Sequence, residues 1–175
     1  MPFVTQPAPQ FDATAVVGQE IKTLKWKEIH GGKWLVLFFY PLDFTFVCPT
    51  EIRGFEALLD DFRKEGVEVV GASTDSYYSH AQWFADRKTF AQPITHPVVA
   101  DTNHAMSRAF GVLKEDEGIA YRATVVVDDE GVVRSFCVND LSVGRSPAEV
   151  LRTVQALRSG GLCAADWKTG DAFVG

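Results

Sequence analysis

The amino-acid sequence predicts an α/β fold, in which a central mixed β-sheet carries helices on both faces. Three observations lead to this class. Continuous apolar runs at residues 34–40 and 67–72 are typical of strands buried on both faces. Apolar residues at helical spacing follow each run. A predicted hairpin over residues 124–138 then adds antiparallel strands and makes the sheet mixed.

The first predicted strand covers residues 34–40 and is closed by Pro41. We expect a helix to begin near Pro49, because the N–H that proline lacks would be unpaired in the first turn. Apolar residues then recur at helical spacing as far as Phe62. Residues 67–72 form the second predicted strand.

The middle of the chain predicts shorter elements. A helix over residues 78–88 has Trp83 and Phe84 facing inward. A short strand follows at residues 96–100, and a short helix covers residues 103–110 before a glycine.

The last third predicts a hairpin and a final helix. Residues 124–127 and 132–138 flank a turn that contains glycine. Residues 146–149 read Ser-Pro-Ala-Glu, a capping box with proline at the first helical position, and a Gly-Gly pair at 160–161 ends the helix. The order β-α-β-α-β-α-β-β-α suits a thioredoxin-like core with insertions. With no repeat or linker, residues 1–175 are expected to form a single domain.

Composition and charge exclude several classes of function. The formal net charge is −6, so there is no basic footprint for nucleic acid or for an anionic membrane. The longest apolar run, residues 34–40, is too short to span a bilayer. Residues 1–9 lack a basic segment followed by an apolar stretch, so we expect no secretory signal and a cytoplasmic location.

The three cysteines, Cys48, Cys137 and Cys163, point to free thiols rather than to a disulfide framework. Cys137 lies in an alternating strand and is expected to be a buried structural thiol. The four histidines show no metal-ligand spacing with each other or with the cysteines, so no metal site is expected.

Cys48 stands between a buried strand and the start of a helix, where open α/β sheets bind ligands. The positive end of a helix favours thiolate over thiol. Thr45 precedes the cysteine by three residues and can place its hydroxyl near the sulfur, and Pro49 can shield the thiolate from water. Position alone leaves open that Cys48 is only a small buried hydrophobe.

Residues 39–51 read Phe-Tyr-Pro-x-x-Phe-Thr-Phe-Val-Cys-Pro-Thr-Glu, which resembles the active-site motif of the peroxiredoxins. More narrowly, it resembles the typical two-cysteine group that includes the peroxidase component of bacterial alkyl hydroperoxide reductase. The pattern Pro-x-x-x-Thr-x-x-Cys is complete as Pro41, Thr45 and Cys48. Four further stretches also resemble the family, at residues 73–83, 115–124, 138–146 and 161–168.

This resemblance implies that Cys48 is the peroxidatic thiolate, which attacks a peroxide oxygen and becomes a sulfenic acid. Arg122 is then the fixed cation, and Thr45 completes the set of donors around the peroxide oxygens. Pro41 and Pro49 shape the pocket.

Glu51 and Arg145 are expected to hold the arginine at position 122. Cys163, in the C-terminal segment 161–175, is the resolving thiol by the same resemblance, and its disulfide with the peroxidatic cysteine joins two subunits. If Cys48 is buried, that bond requires local unwinding of the helix start.

The resemblance further implies substrates, partners and assembly. Hydrogen peroxide and organic hydroperoxides are the expected substrates. No cofactor is bound, and an external dithiol is needed as reductant, either a thioredoxin or a flavoprotein disulfide reductase. A homodimer that assembles to a decamer is expected.

Two other functions are weighed against this prediction. A cysteine hydrolase would need a histidine within hydrogen-bond reach of Cys48, and none is near in sequence. A ring-forming scaffold or holdase chaperone would need no catalysis, and symmetric interfaces leave no local motif that the sequence could reveal.

Overall fold

The computed structural model describes residues 3–175 and divides them into nine strands and six helices. The strands are β1 Asp12–Val17, β2 Glu20–Lys25, β3 Trp34–Phe39, β4 Val67–Ser73, β5 Val98–Ala100, β6 Leu113–Lys114, β7 Ile119–Ala120, β8 Arg122–Val127 and β9 Val133–Asn139. The helices are α1 Trp26–Ile29, α2 Cys48–Ala57, α3 Leu59–Lys64, α4 Tyr77–Phe84, α5 Ala105–Ala109 and α6 Pro147–Ser159.

Seven strands form one sheet in the order β2-β1-β5-β4-β3-β8-β9. The three central strands β5, β4 and β3 are parallel, and the remaining pairs are antiparallel. Strands β6 and β7 form a separate two-stranded ladder. The mixed sheet predicted from the sequence is therefore confirmed.

Strand β3 is buried on both faces, as its apolar run predicts. Leu35, Leu37 and Phe39 belong to a core cluster that includes side chains of α1 and α5. The alternate residues Val36 and Phe38 belong to a second cluster, formed with α2, α3, α4 and α6. The helices thus cover both faces of the sheet, and the second cluster contains Cys48.

Several element boundaries differ from the predictions. The helix expected from Pro49 begins one residue earlier and is broken at Leu58, whose φ of −103° and ψ of 6° lie outside the helical region. The helix predicted over 78–88 ends at Phe84. The strand predicted from residue 96 starts only after Pro97, which has no N–H to donate to a ladder.

The elements β1, β2 and α1 were not predicted. In β2 only Leu24 is buried, so the strand carries little of the apolar alternation on which prediction depends. Strand β1 is stabilised by antiparallel pairing with β2 and β5, and the latter lies more than 80 residues away in the chain. Pairing over such a distance leaves no local pattern.

The prediction that Cys137 is a buried structural thiol was wrong, because its side chain is exposed. Its strand, β9, is the outermost strand of the sheet. Cys137 lines a groove of about 310 Å³ between β9 and the first turns of α6. Alternation on an edge strand therefore does not bring burial here.

Within residues 3–175, no helix combines the length and the apolar character needed to cross a bilayer. The prediction that the chain lacks a secretory signal concerns residues 1–9, and of these Met1 and Pro2 lie outside the described residues.

The packing of Phe38 links the sheet to the helix that carries Cys48. Its ring stacks on Phe55 of α2 with 4.2 Å between the centroids. On the neighbouring strand, Phe38 pairs in register with Gly71. A Cβ atom at Gly71 would lie 2.7 Å from the Phe38 Cζ, so only glycine leaves room for the ring.

We expect Gly71→Ala to destabilise the protein by about 1 to 3 kcal/mol, because the added methyl overpacks the core against Phe38. Urea unfolding of both proteins measures the difference. The double variant Gly71→Ala, Phe38→Leu should recover part of the loss, since the smaller side chain makes room. A Gly71→Ala protein as stable as the parent would contradict this account.

Candidate active site

Cys48 is the first residue of α2, after the loop of residues 40–47 that follows β3. Its side chain is fully buried, with 0% exposure. The N-cap is Val47, so the sulfur lies in the first turn, where the helix presents unpaired N–H groups. The partial positive charge of that turn favours a thiolate.

Arg122 reaches the sulfur from the first residue of β8. Its Nη1 lies 3.4 Å from the Cys48 Sγ, and both side chains are buried. The Nε of Arg122 donates to the Leu141 carbonyl at 2.7 Å. The guanidinium is therefore held on two sides and presents a fixed cationic donor to the sulfur.

Glu51 lies three residues after Cys48 on α2 and bridges two arginines. Its Oε2 accepts from Arg122 Nη1 at 2.7 Å and from Arg145 Nη2 at 3.0 Å. Its Oε1 accepts from the backbone N–H and the Nε of Arg145, at 2.7 and 2.8 Å. Burial alone would raise the pKa of Glu51, but hydrogen bonds and charge from Arg145, with the charge of Arg122, outweigh burial and lower it.

Arg145 is anchored beyond its bonds to Glu51. Its Nη1 donates to the Ala123 carbonyl and, at 3.4 Å, to the Thr124 hydroxyl. Its guanidinium also lies over the Phe38 ring, 5.8 Å from the centroid. Glu51 and Arg145, the two residues predicted to hold Arg122, thus form one bonded group with it against the sheet.

Two guanidinium groups and one carboxylate leave this buried group with one net positive charge. Burying an unbalanced charge is costly unless a partner neutralises it. The sulfur of Cys48 lies in hydrogen-bond contact with Arg122, at the position that such a partner would occupy. The arrangement therefore sets a buried cationic donor directly against the sulfur of Cys48.

Thr45 is half-buried, and its hydroxyl donates to the Leu42 carbonyl at 2.9 Å rather than to the sulfur. The expected contact between this hydroxyl and Cys48 is therefore absent from the structure, because the turn offers a nearer acceptor three residues back. Pro41 and Pro49 are both buried beside the loop, where they were expected to shape the pocket.

Cys163 lies after the end of α6 and is half-buried. Its Sγ is 3.3 Å from the Ser159 hydroxyl and 3.6 Å from the Ala156 carbonyl. All three cysteines are free thiols. The structure therefore brings Arg122, Glu51 and Cys48 together within one chain but leaves Cys163 apart from them.

No histidine among residues 3–175 hydrogen-bonds to the Cys48 sulfur. His80 is bonded to Asp43, and His96 to Glu56. The hydrolase interpretation lacks the base that it requires. In the same part of the chain, no group of three or more His, Cys, Asp or Glu side chains is arranged to hold a metal ion.

Sequence reasoning missed two features of the site. The Leu141 carbonyl that positions Arg122 carries no sequence signal, since every residue has a carbonyl. Asp43, Tyr40 and His80 form a buried cluster beneath the loop. Their polar character within or next to apolar stretches is the only signal that could have identified them.

Comparison with known proteins finds relatives that match most of the chain. Residues 4–136 match the model of the AhpC/TSA family. Peroxiredoxin-2 of Macaca fascicularis is 50% identical over 173 residues, which cover 95% of this chain and 87% of that protein. The crystal structure of reduced Plasmodium vivax 2-Cys peroxiredoxin has a TM-score of 0.93 and 36% identity, with 99% of this chain and 93% of that chain covered. For Enterococcus faecalis AhpC the TM-score is 0.87 at 34% identity, with both chains fully covered.

We expect Glu51→Gln to lower the free energy of unfolding at pH 7 by about 3 to 5 kcal/mol, because two buried guanidinium groups lose their counter-charge. The folded-state pKa of Glu51 lies below its ordinary value of 4.5. Its contribution is therefore complete above about pH 4.5 and is lost as the pH falls through the lower folded value. The difference from the parent should shrink accordingly in urea unfolding at successively lower pH.

Glu149→Gln is the matched control, because Glu149 pairs with Arg152 at the surface. Surface pairs contribute at most about 1 kcal/mol, so this variant should unfold nearly as the parent does. A loss in Glu51→Gln that stays constant down to pH 3 would show that charge is not the cause.

Proposed function

The chain belongs to the AhpC/TSA family, and on that premise we propose that Cys48 is its peroxide-attacking nucleophile. The protein is a thiol-dependent peroxidase of the peroxiredoxin type, with an antioxidant role. The observation that carries the proposal is the 3.4 Å contact between Arg122 Nη1 and the buried Cys48 Sγ.

In the proposed first step, the thiolate forms an S–O bond to one peroxide oxygen while the O–O bond breaks. Sulfur is oxidised to a sulfenic acid, and the peroxide is reduced to water or an alcohol after its leaving oxygen takes up a proton. Negative charge moves from sulfur to that oxygen during the step. A fixed cation that faces both atoms lowers the barrier, and Arg122 has the position for this role.

Supporting roles follow from the contacts around the arginine. Glu51 and Arg145 orient Arg122 through the bridging carboxylate. Thr45 would turn its hydroxyl from the Leu42 carbonyl towards the bound peroxide, a rotation about a single side-chain bond. Pro41 and Pro49 line the approach and limit the access of water to the sulfur.

We propose that Cys163 resolves the sulfenic acid. Its thiolate attacks the oxidised sulfur of Cys48, the S–O bond breaks, hydroxide leaves and takes up a proton to become water, and a disulfide forms. A disulfide needs Cα atoms within about 7 Å, whereas the Cys48 sulfur is enclosed in its own subunit. The first turn of α2 must therefore unwind, and the resemblance to the typical two-cysteine peroxiredoxins implies that the resolving cysteine comes from a second subunit.

The wider setting is also a proposal. Hydrogen peroxide and organic hydroperoxides are the substrates, and a thioredoxin or a flavoprotein disulfide reductase returns the disulfide to thiols without a bound cofactor. The subunits form homodimers that assemble to a decamer. Three free thiols suit a reducing compartment, which supports the cytoplasm as the location and cell redox homeostasis as the role.

Arg122→Gln should reduce the second-order rate of Cys48 oxidation by about 10²- to 10³-fold, because one charged donor to the reacting sulfur is lost. Rapid-mixing measurements of thiol loss against hydrogen peroxide give this rate. Arg134→Gln is the control, since Arg134 pairs with Asp128 at the distant hairpin turn. Equal rates in the parent and Arg122→Gln would remove the arginine from the mechanism.

The three cysteines provide a second test. Cys48→Ser should abolish peroxide consumption, and Cys163→Ser should permit a single turnover, because only the resolving thiol is missing. Cys137→Ser serves as the control and should turn over repeatedly. Repeated turnover by Cys48→Ser would disprove the assignment of the nucleophile.

Mixing the Cys48→Ser and Cys163→Ser chains tests the pairing. If the disulfide joins two subunits, peroxide should link Cys163 of the Cys48→Ser chain to Cys48 of the Cys163→Ser chain. Non-reducing electrophoresis of the mixture should then show a covalent dimer. Neither variant alone should give that dimer. An intramolecular disulfide would give no covalent dimer in any of the three samples.

A further inference from the structure

A buried polar cluster lies beneath the loop that precedes Cys48. The Asp43 carboxylate accepts from the Tyr40 hydroxyl at 2.8 Å on Oδ1 and from the Ser79 hydroxyl at 2.7 Å on Oδ2. The same Oδ2 lies 2.8 Å from His80 Nδ1. The side chains of Asp43 and His80 are 1% and 0% exposed. We call Asp43, Tyr40, Ser79 and His80 the loop anchor.

The anchor is tied to the sheet through His80. The Nε2 of His80 lies 3.2 Å from the Val99 carbonyl on β5. A carbonyl and a carboxylate oxygen both accept hydrogen bonds, so the two ring nitrogens of His80 face one acceptor on β5 and one on the loop. Burial, followed by the charge of Asp43, raises the pKa of Tyr40, so its hydroxyl remains a donor.

The backbone of Asp43 is held as well. Its N–H donates to Asp75 Oδ2 at 2.9 Å, and that oxygen also accepts from the Ser73 hydroxyl at 2.7 Å. Among the described residues, the hydrogen bonds that join the segment 41–47 to α4 and to the turn after β4 all run through Asp43. Together with the Tyr40 N–H, which donates to the Ala72 carbonyl on β4 at 3.0 Å, Asp43 therefore supplies the polar attachment of the loop to the sheet and to α4.

The residue after Asp43 shows what the anchor restrains. Phe44 has a φ of +55°, a left-handed conformation that is strained for a side chain of this size. Its ring lies 5.6 Å from that of Trp83 on α4, although 60% of Phe44 is exposed. Such strain persists only where neighbouring contacts overdetermine the backbone, and the contacts of Asp43 do so here.

We propose that Asp43 is a positioning residue that acts through Cys48, by holding the loop closed for attack on peroxide and by opposing the opening that resolution requires. The inference rests on the proposed function, because it assigns opposite effects to the two proposed steps. The closed loop buries Cys48 next to Arg122, and the open loop releases both the strain at Phe44 and the sulfur. The anchor therefore sets the balance between oxidation and disulfide formation.

The main test compares Asp43→Asn with Asp128→Asn. Both aspartates are buried and accept several hydrogen bonds, but Asp128 lies in the hairpin turn and takes its bonds from Glu130, Val132 and Arg134. Hydrogen–deuterium exchange of the amides at 42–50 reports opening directly. Loss of one hydrogen bond to a charged group corresponds to about a tenfold change in an equilibrium, so exchange should be about tenfold faster in Asp43→Asn and unchanged in the control.

The kinetic readout separates positioning from simple damage. In a Cys163→Ser background, Asp43→Asn should slow the formation of the Cys48 sulfenic acid. With Cys163 present, the same variant should convert sulfenic acid to disulfide faster than the parent does. Asp128→Asn should change neither rate. A general loss of structure would slow both steps, and that result would overturn the proposal.

Variants that remove one donor keep the test decisive if Asp43→Asn does not fold. Tyr40→Phe and Ser79→Ala each remove one bond to Asp43 and should shift exchange in the same direction by less. Where Asp43→Asn folds, adding Tyr40→Phe to it should have a smaller effect than in the parent, because the shared bond is already altered. Exchange at 42–50 that stays at the parent rate in both single-donor variants would refute the anchor.

These measurements also separate the two proposals. A parent protein that fails to consume peroxide would reject the proposed function, whereas amide exchange would still decide whether Asp43 restrains the loop. Normal peroxide consumption with unaltered exchange in the Asp43→Asn and Tyr40→Phe variants would reject the anchor alone.

Discussion

A buried carboxylate between two arginines is the interaction on which the rest of this site depends. Glu51 holds Arg122 and Arg145 at hydrogen-bond distance, and all three side chains are at most 5% exposed. A buried group with one excess positive charge is stable only beside an anion. The sulfur of Cys48 lies where that anion is needed, so a negative charge on the sulfur would neutralise the excess positive charge of the ion pairs.

The fold delivers these groups from three separate segments. Helix α2 carries both Cys48 and Glu51, and their spacing of three residues puts them on one face. The register of the antiparallel pairing between β3 and β8 fixes the position of Arg122 along the sheet. Phe38 couples the sheet to α2 by stacking on Phe55. Gly71 on β4 has no side chain and so leaves room for the Phe38 ring. The rigid core therefore fixes the distance between cation and sulfur.

The loop before Cys48 is built differently from that core. It is joined to its surroundings by polar bonds through Asp43, and it contains the left-handed Phe44. Polar contacts and local strain allow a segment to be ordered in one state and released in another, whereas an apolar core resists partial opening. The proposed reaction cycle, which first encloses a sulfur and then exposes it, needs both kinds of structure side by side.

The sequence by itself determined the α/β class, the doubly buried strand β3, the presence of a helix beginning beside Cys48 and, through the motif around that cysteine, the family. These features rest on local periodicity and on residues adjacent in the chain. The resemblance led us to expect Arg122 near Cys48 and Glu51, but only the tertiary structure shows these contacts, because they span 74 and 71 residues. The loop anchor and the exposure of Cys137 were likewise decided only by the tertiary structure. Burial and pairing across strands depend on register and on sheet order, which no local pattern records.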